Sequence, residues 1–207
     1  MISNTFIAVL LASVSACVVT TIGIYIISKY EAWGNRNVVY FMSFAAGVLI
    51  SVSFLHIIPK SFSMYETAPV YLLVGFLALY SFNRFINTFV CHEHGHPDLA
   101  IGLVPMLGIG LHSFIDGVIY SVTFNVSMFT GILAAIGMVL HEFPEGIITY
   151  LLLLRGGFSN RISLIIALLA ASLSTPLGML VSYPLISRID KPLLGTLLSL
   201  SAGALVY

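Results

Sequence analysis

The sequence predicts an all-α integral membrane protein, folded as a bundle of spanning helices. Of its 207 residues, 59% are hydrophobic and 8% are charged, and the mean hydropathy is +1.06. A soluble domain of this length could not cover its surface with so few polar side chains. Most of the apolar runs are also about 20 residues long or longer, which is the length of a helix that crosses a bilayer.

Seven apolar segments, each bounded by polar residues, proline or glycine, are expected to be the helices of one transmembrane domain over residues 1–207. The last of them follows Arg188-Ile-Asp-Lys-Pro192 and stops with the printed chain at Tyr207. The predicted helices are about 5–28, 38–58, 69–90, 99–124, 127–154, 162–186 and 192–207.

Charge and cysteine content exclude several other classes. The formal net charge is zero and no basic run occurs, so nothing electrostatic favours binding to nucleic acid. The two cysteines, Cys17 and Cys91, provide no disulfide framework. The first basic residue is Lys29, so the N-terminus lacks the charged region of a signal peptide. We therefore expect the first apolar segment to be retained.

The basic residues of the loops predict an orientation. If all seven segments cross, the loops after the first, third and fifth segments share one side and carry five Lys or Arg residues, against three on the other side. Cytoplasmic loops carry the excess of basic residues. We therefore expect a multi-pass protein of the cell membrane, with its N-terminus outside and the loop at about 84–98 in the cytoplasm.

One polar stretch lies inside the fifth apolar segment. His141-Glu-Phe-Pro-Glu-Gly146 places one imidazole and two carboxylates in adjacent turns. On insertion scales, a carboxylate at the centre of a membrane helix costs about 3 kcal/mol. Ionisable groups kept at this depth are by default functional. Hydrogen bonds that hold the bundle together are the alternative explanation.

The fourth segment repeats this stretch. His112-Ser-Phe-Ile-Asp-Gly117 has its histidine, carboxylate and glycine at the same spacing as His141–Gly146. A second match relates Ser43–Ile50 in the second segment to Ser199–Val206 in the seventh. The members of each pair would cross the membrane in opposite senses. This is the pattern of an inverted repeat around a midplane site, which is typical of transporters.

Helix geometry predicts how the two stretches present their side chains. At about 100° per residue, the fifth-position carboxylate lies about 40° from the histidine, between the first and second positions. Each carboxylate can therefore be shared between a metal at the histidine and a neighbouring ion. Nitrogen and oxygen donors without thiolate suit Zn²⁺, with Fe²⁺, Mn²⁺, Co²⁺ and Cd²⁺ as alternatives. The candidate ligands are His112, Asp116, His141 and Glu145, and Ser113 and Glu142 are candidates for an adjoining second site.

Pro144 predicts an irregularity beside these ligands, since it has no N–H for the carbonyl of Leu140. Such a break is tolerated inside a membrane only where the backbone faces protein or a water-filled cavity. Gly117 and Gly146 would let neighbouring backbones approach. The proline and the ligands therefore indicate the same aqueous site.

Further histidines lie outside the two stretches. His56 ends the second segment as His-x-x-Pro, and is either a solvated interface residue or a station at the mouth of an ion path. The loop Cys91-His-Glu-His-Gly-His-Pro-Asp98 is rich in metal-binding side chains and is expected to capture divalent ions. Its candidate residues are His92, His94 and His96.

Together these motifs resemble the Zrt-, Irt-like protein (ZIP) family of divalent-metal transporters, over almost all of the chain. The most specific is His141–Gly146, followed by Arg155-Gly-Gly157. The resemblance implies an eight-helix bundle with an inverted repeat of three, two and three helices. The eighth helix and the end of the seventh have no counterpart here, so we expect a fragment or a short member. The other motifs are Ala45-Ala-Gly47, Leu55-His-Ile-Ile-Pro59, the histidine-bearing loop and His112–Gly117.

The resemblance also implies site residues. Its principal metal site corresponds to the four ligands named above, and its adjoining site to Ser113, Glu142 and the two bridging carboxylates. Many members have Asn in place of Ser113, and many binuclear members have Glu where this chain has Thr175 before Pro-Leu-Gly178. Because a lost carboxylate weakens a second cation site, we expect one strong site with a weak or absent neighbour.

The predicted function is transport of a divalent metal ion, zinc foremost, towards the cytoplasm between the fourth and fifth segments. The ion and the lipid bilayer are the expected partners, with no organic cofactor and no catalytic residues. An intramembrane zinc hydrolase is the alternative, since His141-Glu142 begins like a His-Glu-x-x-His motif, although Glu145 and Pro144 argue against it. A passive channel with the same ligands is indistinguishable from a carrier by sequence, and homodimer formation is left open.

Overall fold

The chain is an all-α bundle in the computed structural model, which describes residues 4–85 and 99–207. Within those residues there is no strand, and there are nine α-helices. This confirms the predicted all-α class. The helices are α1 (Asn4–Lys29), α2 (Glu31–Val52), α3 (Ile58–Met64), α4 (Ala68–Phe85), α5 (Leu99–Val126), α6 (Met128–Arg155), α7 (Asn160–Ala167), α8 (Ser174–Ser182) and α9 (Lys191–Val206).

Five helical stretches in the described part of the chain are long and apolar enough to cross a membrane: α1, α4, α5, the Ala134–Arg155 part of α6, and the run Asn160–Ile186 that contains α7 and α8. Helix α9 is apolar but shorter. Helix α2 is not among the five, because its first two turns contain Glu31, Arg36 and two asparagines. The predicted second segment, about 38–58, extends beyond the end of α2, and its crossing of the membrane stays a prediction.

Two π-helical turns occur in the described residues, and neither lies at Pro144. A π-helical turn, Ser53–Ile57, joins α2 to α3, so the helix continues past Pro59 to Met64. A second π-turn, Leu168–Ser172, lies between α7 and α8. The predicted break at Pro144 is wrong, since α6 runs without interruption through it. Transmembrane helices tolerate such a proline when neighbouring helices support them, and here α1 and α5 pack along α6.

The two motif-bearing helices form the centre of the bundle. Helices α5 and α6 are antiparallel and are joined at Ser127. In their most apolar stretches, 50% and 67% of the residues are buried, against 11% in α4. Helix α8 packs very closely on α5. A Cβ added to Gly117 would overlap the backbone at Thr175, and one added to Gly178 would overlap the backbone at Phe114. Small residues permit this contact, as is usual between membrane helices.

Helices α3, α4 and α9 pack in a second group. Helix α9 begins at Lys191, where the side chain of Asp190 caps it by accepting a hydrogen bond from the Leu193 amide at 2.9 Å. It packs closely along α4, through Gly75 and Gly203, and also against α3. The molecule thus has one helix group of α1, α5, α6 and α8 and another of α3, α4 and α9. The two groups meet in an apolar cluster that includes Ile57, Ile115, Val118, Leu194, Leu198 and Ala202.

Candidate metal site

The four predicted principal ligands lie together between α5 and α6. Because these helices are antiparallel, the two repeated stretches face each other. The Nε2 atoms of His112 and His141 are 3.2 Å apart. Oδ2 of Asp116 lies 3.4 Å from Nε2 of His112 and 3.0 Å from Nε2 of His141. Oε1 of Glu145 lies 3.5 Å and 3.9 Å from the same two nitrogens.

These separations suit an ion with tetrahedral coordination. With metal–ligand bonds of about 2.0–2.1 Å, tetrahedral geometry puts neighbouring ligand atoms about 3.3–3.4 Å apart. The five distances range from 3.0 to 3.9 Å and so bracket this value. Three of the side chains, His112, His141 and Glu145, each offer a ligand atom within 4.8 Å of the others. Small movements of the side chains would therefore complete a coordination sphere.

Burial makes any charge on the side chains of this cluster energetically unfavourable. His112, Asp116 and Glu145 are at most 2% exposed, and the His141 side chain is 11% exposed. The Glu145 carboxylate lies 3.5 Å and 3.9 Å from the Nε2 atoms of the two imidazoles. Burying several ionisable groups together is unfavourable by several kcal/mol unless their charges are compensated. A cation between the four side chains would compensate the charge of Glu145.

The Nδ1 atoms of both imidazoles also have hydrogen-bond partners. Nδ1 of His141 lies 3.2 Å from the carbonyl oxygen of Gly137, one turn earlier in α6. A carbonyl only accepts, so Nδ1 would donate its hydrogen to Gly137 when Nε2 binds an ion. Nδ1 of His112 lies 3.0 Å from Oγ of Ser201 in α9. Sequence spacing gave no signal for Ser201, apart from its position in the repeat Ser199–Val206.

Glu142 lies beside this cluster, within electrostatic range of Asp116, Glu145 and His141. It is fully buried, and its carboxylate accepts hydrogen bonds from Thr175 in α8 at 3.0 Å and from Thr20 in α1 at 3.3 Å. Neither threonine was a predicted site residue, since only the packing of three helices brings them to Glu142. Ser113 is fully buried and has no hydrogen-bond partner among the described residues. The second-site residues are thus present beside the cluster, with Glu142 held by hydroxyl groups.

Among the described residues, one further predicted histidine, His56, is not part of the cluster. His56 is exposed in the π-turn after α2, within electrostatic range of Asp116. His92, His94 and His96 lie outside the described residues, so their predicted role stays a prediction.

A cavity approaches the cluster from the end of the bundle at which α5 begins. It has a volume of about 680 Å³ and is lined mainly by apolar side chains of α4, α5, α6 and α9. Ile109 and Ile148 are among its lining residues. They lie three residues from His112 and Glu145, respectively, which is less than one helical turn. Along both helices, the cavity therefore reaches to within one turn of a candidate ligand.

A helical membrane protein that gathers histidines and carboxylates inside its bundle has the general features of a cation transport protein. The comparison with known families specifies this class. A family model described as ZIP Zinc transporter matches residues 92–207, which is more than half of the chain and includes the four clustered side chains. The chain belongs to the ZIP family of divalent-metal transporters. No curated protein matches it.

Proposed function

We propose that this protein carries divalent metal ions, zinc foremost, across a membrane by binding them between α5 and α6. The observation that carries the proposal is the Glu145 carboxylate, which is 1% exposed and lies 3.5 Å and 3.9 Å from two imidazole nitrogens. Its burial is unfavourable unless a cation compensates it. His112, Asp116 and His141 supply the other donor atoms of a four-ligand site. Residues 92–207, which match the family, contain all four.

The donor set supports zinc as the preferred ion. Two imidazoles and two carboxylates, without thiolate, can surround Zn²⁺ tetrahedrally. Iron, manganese, cobalt and cadmium remain alternative substrates, because nitrogen and oxygen ligands accept them as well. The donor atoms therefore favour a class of divalent metals and do not select a single element.

Transport requires that the site exchange its ligands with water on either side. Asp116 lies between the two imidazoles and Glu145 faces both, so each can keep contact with an ion while a histidine releases it. The two helix groups supply a surface for relative movement, as in carriers whose site opens alternately to each side. A passive channel with the same ligands is the alternative within this proposal.

Direction and location follow from the loop charges. We place the N-terminus outside and residues 84–98 in the cytoplasm of a cell-membrane protein, with transport towards the cytoplasm. The cavity lined by Ile109 and Ile148 lies at the end of the bundle where α5 begins, directly after residues 84–98 in the sequence. In this proposal it is part of the exit route, and the histidines of that loop receive the ion. His56 binds the ion transiently on the entry route.

The hydrolase alternative receives less support from the geometry. A hydrolytic zinc needs a general base facing its open coordination position, and Glu142 is the residue available for that role. Its two carboxylate oxygens instead accept hydrogen bonds from Thr20 and Thr175. We therefore favour transport over catalysis.

The proposal is tested with the purified chain in liposomes. We expect saturable uptake of Zn²⁺, with weaker uptake of Co²⁺, Mn²⁺, Fe²⁺ and Cd²⁺ and none of Ca²⁺ or Mg²⁺, because imidazole donors disfavour the hard cations. Zinc on the far side should accelerate the exchange of labelled zinc, as in a carrier. A linear flux without such acceleration would indicate a channel, and uptake equal to that of protein-free vesicles would contradict both.

The hydroxyl groups around Glu142 predict that the chain holds one strongly bound ion. Thr175 stands where many binuclear members of the family have a carboxylate, so its replacement by glutamate should restore a second site. We expect Thr175→Glu to raise the zinc stoichiometry from one to two per chain, and Thr175→Gln to leave it at one. Equilibrium dialysis with metal analysis measures both. Two tightly bound ions in the unmodified chain would contradict this prediction.

A further inference from the structure

We propose that Ser201 is a positioning residue, which holds His112 in the tautomer and ring orientation that present Nε2 to the ion. The inference rests on the proposed function, since it takes His112 as a metal ligand. Oγ of Ser201 lies 3.0 Å from Nδ1 of His112. Ser201 is fully buried and His112 is 2% exposed, so solvent does not compete for this hydrogen bond.

The chemistry of imidazole explains why this contact matters. A neutral histidine binds metal through one nitrogen only when the other nitrogen carries the hydrogen. Metal-bound histidines almost always donate that hydrogen to a nearby acceptor, which fixes the ring and increases its basicity. Nε2 of His112 faces the three other candidate ligands. When Nε2 binds an ion, Nδ1 is therefore the donor and the Ser201 hydroxyl the acceptor. Without the hydroxyl, a buried N–H group would lose its acceptor and the ring its orientation.

The two histidines of the site are fixed in different ways. The acceptor for His141 is the carbonyl of Gly137, which lies in the same helix and moves with it. The acceptor for His112 belongs to α9, which packs with α3 and α4 rather than with α1 and α8. The hydrogen bond between His112 and Ser201 therefore joins the ligand-bearing helix group to the other group.

A consequence follows for the affinity of the site. Movement of α9 relative to α5 would break the hydrogen bond between Ser201 and His112. His112 would then be free to rotate or to change tautomer, and the ion would be held less tightly. Ser201 thus makes metal affinity depend on how the two helix groups are arranged.

The test compares serine variants of the purified full chain in detergent by equilibrium Zn²⁺ binding, with Co²⁺ absorption as a report on coordination geometry. We expect Ser201→Ala to weaken binding about 10–100-fold, as for other outer partners of metal ligands, and Ser201→Thr to restore it. Ser199→Ala is the matched control, because Ser199 is also fully buried in α9 but its hydroxyl has no hydrogen-bond partner among the described residues. We expect that control to bind as the unmodified chain does.

The same series separates this inference from the proposed function. His112→Ala should abolish strong binding, and Ser201→Ala in that background should cause no further loss, because the serine acts through the histidine. If His112→Ala leaves binding intact, the proposed site is wrong. If His112→Ala abolishes binding but Ser201→Ala behaves like Ser199→Ala, only the role of Ser201 is overturned. Ser201→Cys, which keeps the volume with a weaker acceptor, serves if the alanine variant does not fold, and zinc affinity equal to that of the unmodified chain would overturn the inference.

Discussion

Replacing Glu145 by glutamine should abolish saturable zinc uptake while the protein still folds. The amide has nearly the same volume as the carboxylate but no negative charge, and its NH₂ group cannot bind a cation. Removal of an outer partner of a metal ligand already costs about 10–100-fold in affinity, so we expect loss of a direct ligand to cost at least about 100-fold. Zinc uptake into liposomes and equilibrium binding both measure the effect.

The matched control for this change is Glu66→Gln. Glu66 is exposed in the connection between α3 and α4, away from the four ligands. We expect its uptake to equal that of the unmodified chain. Unchanged zinc uptake by Glu145→Gln would remove the basis of the proposed site.

Replacing Gly117 by alanine should destabilise the whole bundle. The added Cβ would overlap the backbone of α8 at Thr175 and Met179, and backbone atoms cannot move aside as side chains do. Overpacking of this kind costs about 1–3 kcal/mol, and we expect the upper end of that range. The shift of α8 would also move Thr175 away from Glu142. We therefore expect a lower midpoint of thermal unfolding in detergent, together with reduced uptake.

Gly47→Ala is the control for that substitution, since a Cβ added there meets no atom within 4 Å. Alanine is favoured over glycine in a helix by about 1 kcal/mol, so this variant should be as stable as the parent or slightly more stable. If both alanine variants unfold at the same temperature, the close packing of α5 on α8 does not limit stability.

The clustering of the four candidate ligands could be predicted from sequence because helix geometry is regular. An imidazole and a carboxylate four residues apart must share one face of a helix. Once His112–Gly117 and His141–Gly146 were placed on adjacent antiparallel helices, the clustering of His112, Asp116, His141 and Glu145 followed. The all-α membrane class followed from composition in the same way.

What spacing could not predict depends on packing between distant parts of the chain. Ser201 reaches His112 only because α9 packs on α5, and Thr20 reaches Glu142 only because α1 packs on α6. The break expected at Pro144 does not occur, since neighbouring helices support α6 on both sides of it. The π-turn at Ser53–Ile57 has no clear sequence signal.

The central claim is that one divalent ion is bound between α5 and α6 by two imidazoles and two carboxylates. The most direct test is an anomalous difference map recorded at the zinc absorption edge from crystals of the zinc-bound chain. We expect one strong peak, about 2.0–2.2 Å from Nε2 of His112, Nε2 of His141 and a carboxylate oxygen each of Asp116 and Glu145. A strong peak elsewhere, with no density between these four side chains, would contradict the claim.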